Sequence, residues 1–413
     1  MSYRPLSLPL FTLAFAVTFC QHAGAAEETR LERWRSYAGV SWEASPSQVA
    51  AKPFVDSVNA PIAGLHFDER GTAFVSTPRL ASASLTATLS TLDTRVKSGP
   101  ARLAAFPSVQ ANAISGSPAD SLRNVLGFYV DNHNGWLWAL DMGFIAGESE
   151  APVGSQKVLI IDLKSGSIVK RINLDPVADR AGSLLNDITV DEKRRVAYLS
   201  DSGSRSAPNN KAGLIVVDFA SGSARRVLDR HPSLNIEPGV NVVAHGKPVW
   251  PGKPLMIGIN GVALSPDGDT LYWTVTTGTR AHSIPTAMLR NTDADTAQVA
   301  SVIDDLGAVG GNTDGIVTDA KGILYITDVT RNGIVKYDPR TKVMTLMAAD
   351  DNVHWPDTPT FLPDGDLVFT SSALNDHLAG QVSPGAERFD LWRLPLAGNT
   401  PEADPLPESE ASR

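Results

Sequence analysis

The feature that most constrains this chain is a hairpin that recurs six times. The segments are AGLHFDERGTAFVST (63–77), LGFYVDNHNGWLWALD (126–141), NDITVDEKRRVAYLSD (186–201), NGVALSPDGDTLYWTV (260–275), DGIVTDAKGILYITD (314–328) and DTPTFLPDGDLVFTS (357–371). In each, a polar or small residue opens an apolar run of one strand's length. A turn with Asp or Gly follows, and an aromatic and β-branched strand returns. Most units continue, as in KVLIIDLKSGSIVKRINL (157–174), GLIVVDFASGSARRVL (213–228) and NGIVKYDPRTKVMTLMA (332–348).

Four strands per unit, repeated six times at roughly 43–73 residues, are the pattern of an all-β chain folded as a six-bladed β-propeller. A sandwich or tandem all-β domains is the alternative. The last unit shows a hairpin and a third strand in FDLWRLPL (389–396). Its fourth strand is expected from LERWRSYAG (31–39), which closes the ring and hides an open edge. The Pro- and Gly-rich stretch 231–258 is too long for a simple connection and is expected to cover one face.

The propeller is expected to span residues 27–396. Before it, residues 1–26 read as a secretory signal peptide: Arg4, an apolar run from Leu6 to Phe19, then Ala23-Gly24-Ala25-Ala26. That run falls short of the ~18–20 residues needed to span a bilayer, so the mature chain is expected to be exported, periplasmic or extracellular, with no transmembrane segment. Cys20 is the one cysteine. Bulky Phe19 argues against its lipidation, and its loss with the leader leaves no disulfide. The tail 397–413 is expected to be disordered. A net charge of −9 with no basic run argues against nucleic-acid binding.

Innermost propeller strands line the central channel, so one register position of every repeat faces the same place. Aligning the first strands on their turns gives Ala63, Leu126, Asn186, Asn260, Asp314 and Asp357. Four consecutive members carry amide or carboxylate oxygens, the donors a hard cation such as Ca²⁺ takes at ~2.3–2.6 Å. Asn186, Asn260, Asp314 and Asp357 are therefore the expected metal ligands, and Asp187 stands beside them. The alternative is that these side chains cap backbone groups at the channel mouth. Asp141, Asp201 and Asp328 end second strands and read as structural turn acids. Among the histidines, His282 and His354, in loops adjoining the fourth and sixth units, are expected nearest a pocket and join Asn186 as candidate substrate-binding residues. No nucleophile elbow, zinc-protease motif, phosphate-binding loop or dinucleotide fingerprint occurs.

LWALDMG (137–143), LLNDITVDEKRRVAYLSDSG (184–203), GINGVALSPDGDTLYW (258–273), HSIPTAMLR (282–290), NTDGIVTDAKGILYITD (312–328) and HWPDTPTFLPDGDLVFTSS (354–372) occur in an order that resembles the major royal jelly protein/Yellow family. The resemblance runs over most of the mature chain and implies a secreted six-bladed propeller. Some members are associated with dopachrome conversion and others with binding small amines, so it implies either an enzyme or a binder. A more distant similarity to gluconolactonase/senescence-marker propellers implies Asn186, Asn260 and Asp314 as ligands of a divalent metal and Asp314 as the catalytic proton acceptor in lactone hydrolysis. Those enzymes place a ligating Glu where this chain has Ala63. The leading expectation is a small-molecule binder. The alternative is a metal-assisted lactonase or dopachrome-type isomerase, and a third, lower reading is a protein-interaction platform.

Overall fold

Each of the six hairpins forms where its pattern places it. Leu65–Phe67 pairs with Ala73–Ser76, Val125–Asp131 with Trp136–Asp141, and Leu185–Asp191 with Val196–Asp201. Ile259–Leu264 pairs with Thr270–Val275, Thr313–Thr318 with Leu324–Asp328, and Pro356–Phe361 with Leu367–Ser371. The turn acids act through their side chains. Asp68 Oδ1 accepts from the amides of Arg70 and Thr72, and Asp319 Oδ1 from those of Lys321 and Ile323. These side-chain-to-backbone bonds stand in for turn hydrogen bonds the backbone cannot make alone.

The structure is a computed structural model describing residues 30–43, 54 and 56–396. The expected signal peptide and tail lie outside the described residues. Four hairpins extend into four-stranded antiparallel sheets, with outer strands Ile168–Asn173, Ala224–Val227, Asp304–Ala308 and Val343–Ala349. The first and last hairpins share an eight-stranded sheet. Its halves meet at Glu32–Trp42, which pairs antiparallel with Phe389–Leu394 and, on its other side, parallel with Ser98–Ala105. That strand supplies the fourth member expected from the N-terminal region. The parallel pairing has no sequence signature, because it depends on where a distant edge lies.

The first strands touch one another in chain order, and Pro356–Phe361 returns to touch Leu65–Phe67. Hydroxyls help to hold this closure. Ser76 Oγ donates to the carbonyl of Leu126 at 2.8 Å, and Thr370 Oγ1 to that of Ala63 at 2.8 Å. Apolar packing lies between consecutive sheets. Trp138 and Leu140 meet Ile188 and Ile215, while Tyr198 and Leu214 meet Trp273 and Leu271. Within the eight-stranded sheet, Phe389 and Leu391 of the last unit meet Leu65 and Val75 of the first. Full burial of one such side chain contributes about 1.5–3 kcal/mol, so each sheet is anchored by its neighbours. Asp141 is wholly buried and accepts from the amides of Arg123, Asn124 and Gly143 and from Lys157 Nζ at 2.7 Å, a structural role. Among the described residues no helix is long and apolar enough to cross a membrane.

Candidate functional site

The first strands surround a cavity of about 870 Å³. It is lined both by residues that open those strands and by residues in their turns, so it runs their whole length. One end holds Asn186, Asp187, Asn260, Asp314 and Asp357. The middle is apolar, with Phe128, Ile188, Val262 and Ile316, and the far end holds His66, Tyr129 and Glu192.

The acidic end is built by a repeated backbone irregularity. Pairing slips between Val125 and Phe128, Leu185 and Ile188, Ile259 and Val262, Thr313 and Ile316, and Asp357 and Thr360. Bulges re-aim side chains that a regular strand would alternate across its two faces. Four units place Gly after the opening residue, where the strands approach most closely. A Cβ on Gly127 would lie 2.4 Å from the carbonyl of Asn186, and one on Gly261 would lie 2.7 Å from that of Asp314. Bulge amides find hydroxyls: Asp187 N donates to Ser200 Oγ at 2.9 Å and Gly315 N to Thr327 Oγ1 at 3.0 Å, and Gly64 N, ahead of the first strand, donates to Ser76 Oγ at 2.8 Å. In the third unit the Gly position is Asp187. Its carboxylate spans the gap, with Oδ2 accepting from Val262 N at 3.0 Å and Oδ1 from Ile188 N at 2.8 Å.

Three carboxyl groups thus share one buried end. Asp314 accepts from Asn260 Nδ2 through Oδ1 and from the Trp355 indole through Oδ2. Asp357 accepts from Thr358 N at 2.6 Å and Thr358 Oγ1 at 3.2 Å, both through Oδ1. Among the described residues none of the three forms an ion pair with a basic side chain. Burial pushes Asp187 up to about 7, opposed by its two amide donors, with Asp357 adding to the rise. Burial raises Asp357 to about 6 against the Thr358 bonds. Asp314 is driven well above the carboxylate range by burial and the neighbouring Asp357. Asn186 is 5% exposed and lines the cavity, and among the described residues no hydrogen bond engages its side chain.

Backbone strain gathers around the same end. Trp355 has φ 57°, Thr358 φ 36° and Trp250 φ 51°, unfavourable for bulky and β-branched residues. Trp250 belongs to the long segment 231–258, and its indole donates to the carbonyl of Asn375 at 3.1 Å. Leu255, Met256 and Ile257 of that segment line the cavity. Val242 and Val249 pack with Trp355, so the cover expected from the sequence rests on the residue that holds Asp314.

Asn186, Asn260, Asp314 and Asp357, expected from register alone, all line the cavity. His282 and His354 are not among its lining residues. His282 lies within the strand Arg280–Pro285 rather than in a loop and stacks on Trp273 at 5.5 Å. His354 packs against His245 at 4.4 Å. Sequence reasoning missed Trp355, whose partner is set by the fold, and gave little weight to Asp187, although its place in a Gly column was visible. At the far end Tyr129 Oη donates to Glu192 Oε1 at 3.0 Å, and burial pushes His66 down to about 4.

As a metal site the four expected ligands fit poorly in this arrangement. Asn260 turns its amide nitrogen toward Asp314 and Thr276 Oγ1, and both Asp314 oxygens have protein donors. Among the described residues no group of three or more His, Cys, Asp or Glu is placed to hold an ion.

No curated protein matches the chain significantly. Solved structures resemble it in broad outline. A gluconolactonase from Xanthomonas campestris shares 16% identity over 81% of this chain and 86% of its own, with a TM-score of 0.44. A luciferin-regenerating enzyme shares 13% over 83% and 93%, at 0.46. Virginiamycin B lyase from Staphylococcus aureus shares 15% over 76% and 78%, at 0.42. At these values no residue role is transferred. The sequence profile described as "Major royal jelly protein" matches residues 124–389, more than half of the chain and all the carboxyl groups of the acidic end. This all-β chain belongs to the major royal jelly protein family.

Proposed function

We propose that the chain is an exported six-bladed propeller that binds a small organic molecule in its channel, with a cationic or strongly hydrogen-bond-donating group against Asp187, Asp314 and Asp357. The six first strands touching in a closed order support the blade count. The observation that carries the binding reading is three buried carboxyl groups at one cavity end without a basic partner among the described residues. A buried carboxylate lacking a counter-charge is costly, so such a group either holds a proton or meets a cation. A ligand with a positive end supplies that charge, and the apolar middle accommodates its body.

Calorimetric titration with phenethylamine and its neutral counterpart phenylethanol tests this. The amine binds and the alcohol binds at least about tenfold more weakly. Equal binding of both, or of neither, counts against it. Export rests on the leader sequence, and N-terminal sequencing of the secreted chain checks it: cleavage falls near Ala25 or Ala26.

A second reading is a hard cation, Ca²⁺ in the first instance, at the same end. It is favoured by Asp357 Oδ2 and the side chain of Asn186, which no group among the described residues engages. A cation there polarises a substrate oxygen, the chemistry of a lactone hydrolase or an isomerase. It requires Asn260 and Trp355 to release Asp314, which could then serve as the proton acceptor.

A further inference from the structure

The outermost strand of a sheet exposes a row of unpaired amides and carbonyls, and folded proteins guard such edges with charge or cover. Most outer strands here are guarded. Ile168–Asn173 carries Lys170 and Arg171, Ala224–Val227 carries Arg225 and Arg226, and Asp304–Ala308 carries Asp304 and Asp305. Ser98–Ala105 is covered by Glu32–Trp42. The outer strand Val343–Ala349, VMTLMAA, has no charge and no proline. Its Val343 and Leu346 are 51% and 40% exposed, and among the described residues nothing pairs with its outer side.

The charge that would guard this strand stands at its two ends and differs in sign. Arg340-Thr341-Lys342 precede it and Asp350-Asp351 follow it. Lys342 forms no ion pair among the described residues, and its neighbourhood is exposed. We infer that this strand is a self-pairing interface: a second copy adds its own Val343–Ala349 antiparallel, across a two-fold axis through Leu346. In that arrangement the basic end of each copy, Arg340 and Lys342, lies toward the acidic end of the other, Asp350 and Asp351. The apolar centre and both charged ends are therefore self-complementary, as a two-fold interface requires. A parallel or slipped pairing sets like charges together or leaves them unmatched. Two such edges close on each other and leave none free. The extra residue where pairing slips between Ile334 and Val335 bends the strand away from the flat geometry of a growing stack.

Sedimentation velocity of the full chain over about 1–200 µM tests the interface. A monomer–dimer equilibrium with a micromolar Kd is expected, the range of a small interface. Leu346→Lys sets two like charges face to face on the axis and weakens the dimer at least about tenfold. Lys342→Glu, outside the strand, weakens it severalfold, and raising the salt from about 0.05 M to about 0.5 M does the same to the wild type. Both sites are exposed, so unchanged melting temperatures confirm that the variants fold. A wild type that stays monomeric at about 200 µM overturns the inference. So does a dimer whose affinity neither substitution changes.

Discussion

The indole nitrogen of Trp355 donates a hydrogen bond to the carboxylate of Asp314, joining the end of a connecting stretch to a strand 41 positions away. Trp355 also packs against Val242 and Val249 of the covering segment, at a backbone angle that few tryptophans adopt. One side chain thus fixes the cover and orients the most deeply buried acid of the channel.

Trp355→Phe keeps the packing surface and removes the donor. Asp314 Oδ2 then lacks a partner while remaining buried, so the chain loses about 1–3 kcal/mol in urea unfolding. Unchanged stability would show that the bond does not form in solution.

Carboxyl groups raised on folding bind protons that the unfolded chain releases. Their stabilisation is present below the ordinary carboxylate range and is lost as pH rises through the folded value. For Asp357 that window runs from the ordinary value of 3.8 to about 6. Histidines lowered by burial, such as His66, contribute the opposite slope. The difference between wild type and Asp357→Asn isolates the acid. The variant gains stability relative to wild type between those two values and holds the gain above them. A difference that is flat across the window contradicts the raised value.

Gly261 lies where the fourth and fifth first strands approach, and a Cβ there meets the Asp314 carbonyl at 2.7 Å and Ile316 N at 2.9 Å. Gly261→Ala is expected to cost about 1–3 kcal/mol. Gly252→Ala, with no atom within 4 Å of the new carbon, changes stability by less than about 0.5 kcal/mol. Thermal unfolding of the pair checks whether close strand approach is what selects glycine.

Divalent ions separate the two readings of the acidic end. If a cation is the resident partner, millimolar Ca²⁺ or Mn²⁺ raises the melting temperature of wild type, and Asp314→Ala or Asp357→Asn abolishes the rise. If the partner is organic, the melt is the same with and without the ions.

The hairpins were legible because strand periodicity and turn chemistry are local, and they set the register of Asn186, Asn260, Asp314 and Asp357. What those four bond to was not legible. Asn260 reaches Asp314 across 54 positions, and Asp187 reaches Val262 across 75. The Gly that follows Ala63, Leu126, Asn260 and Asp314 was a usable clue, because it marks the column in which Asp187 and Thr358 are the exceptions. His282 and His354 were expected near the pocket from their place along the chain. The pleat turns His282 onto Trp273, and ring packing takes His354 toward His245.

The charge demand of Asp187, Asp314 and Asp357 is what a ligand in the channel must meet. Its most direct measurement is calorimetric titration of phenethylamine at about pH 6 in two buffers of different ionisation enthalpy, for wild type and Asp357→Asn. A cation that enters among proton-holding carboxyl groups displaces protons. The predicted result is saturable binding with net proton release in wild type, and at least about tenfold weaker binding with less release in the variant. Binding without proton release, or with equal affinity in the variant, would contradict a ligand site at the acidic end of the channel.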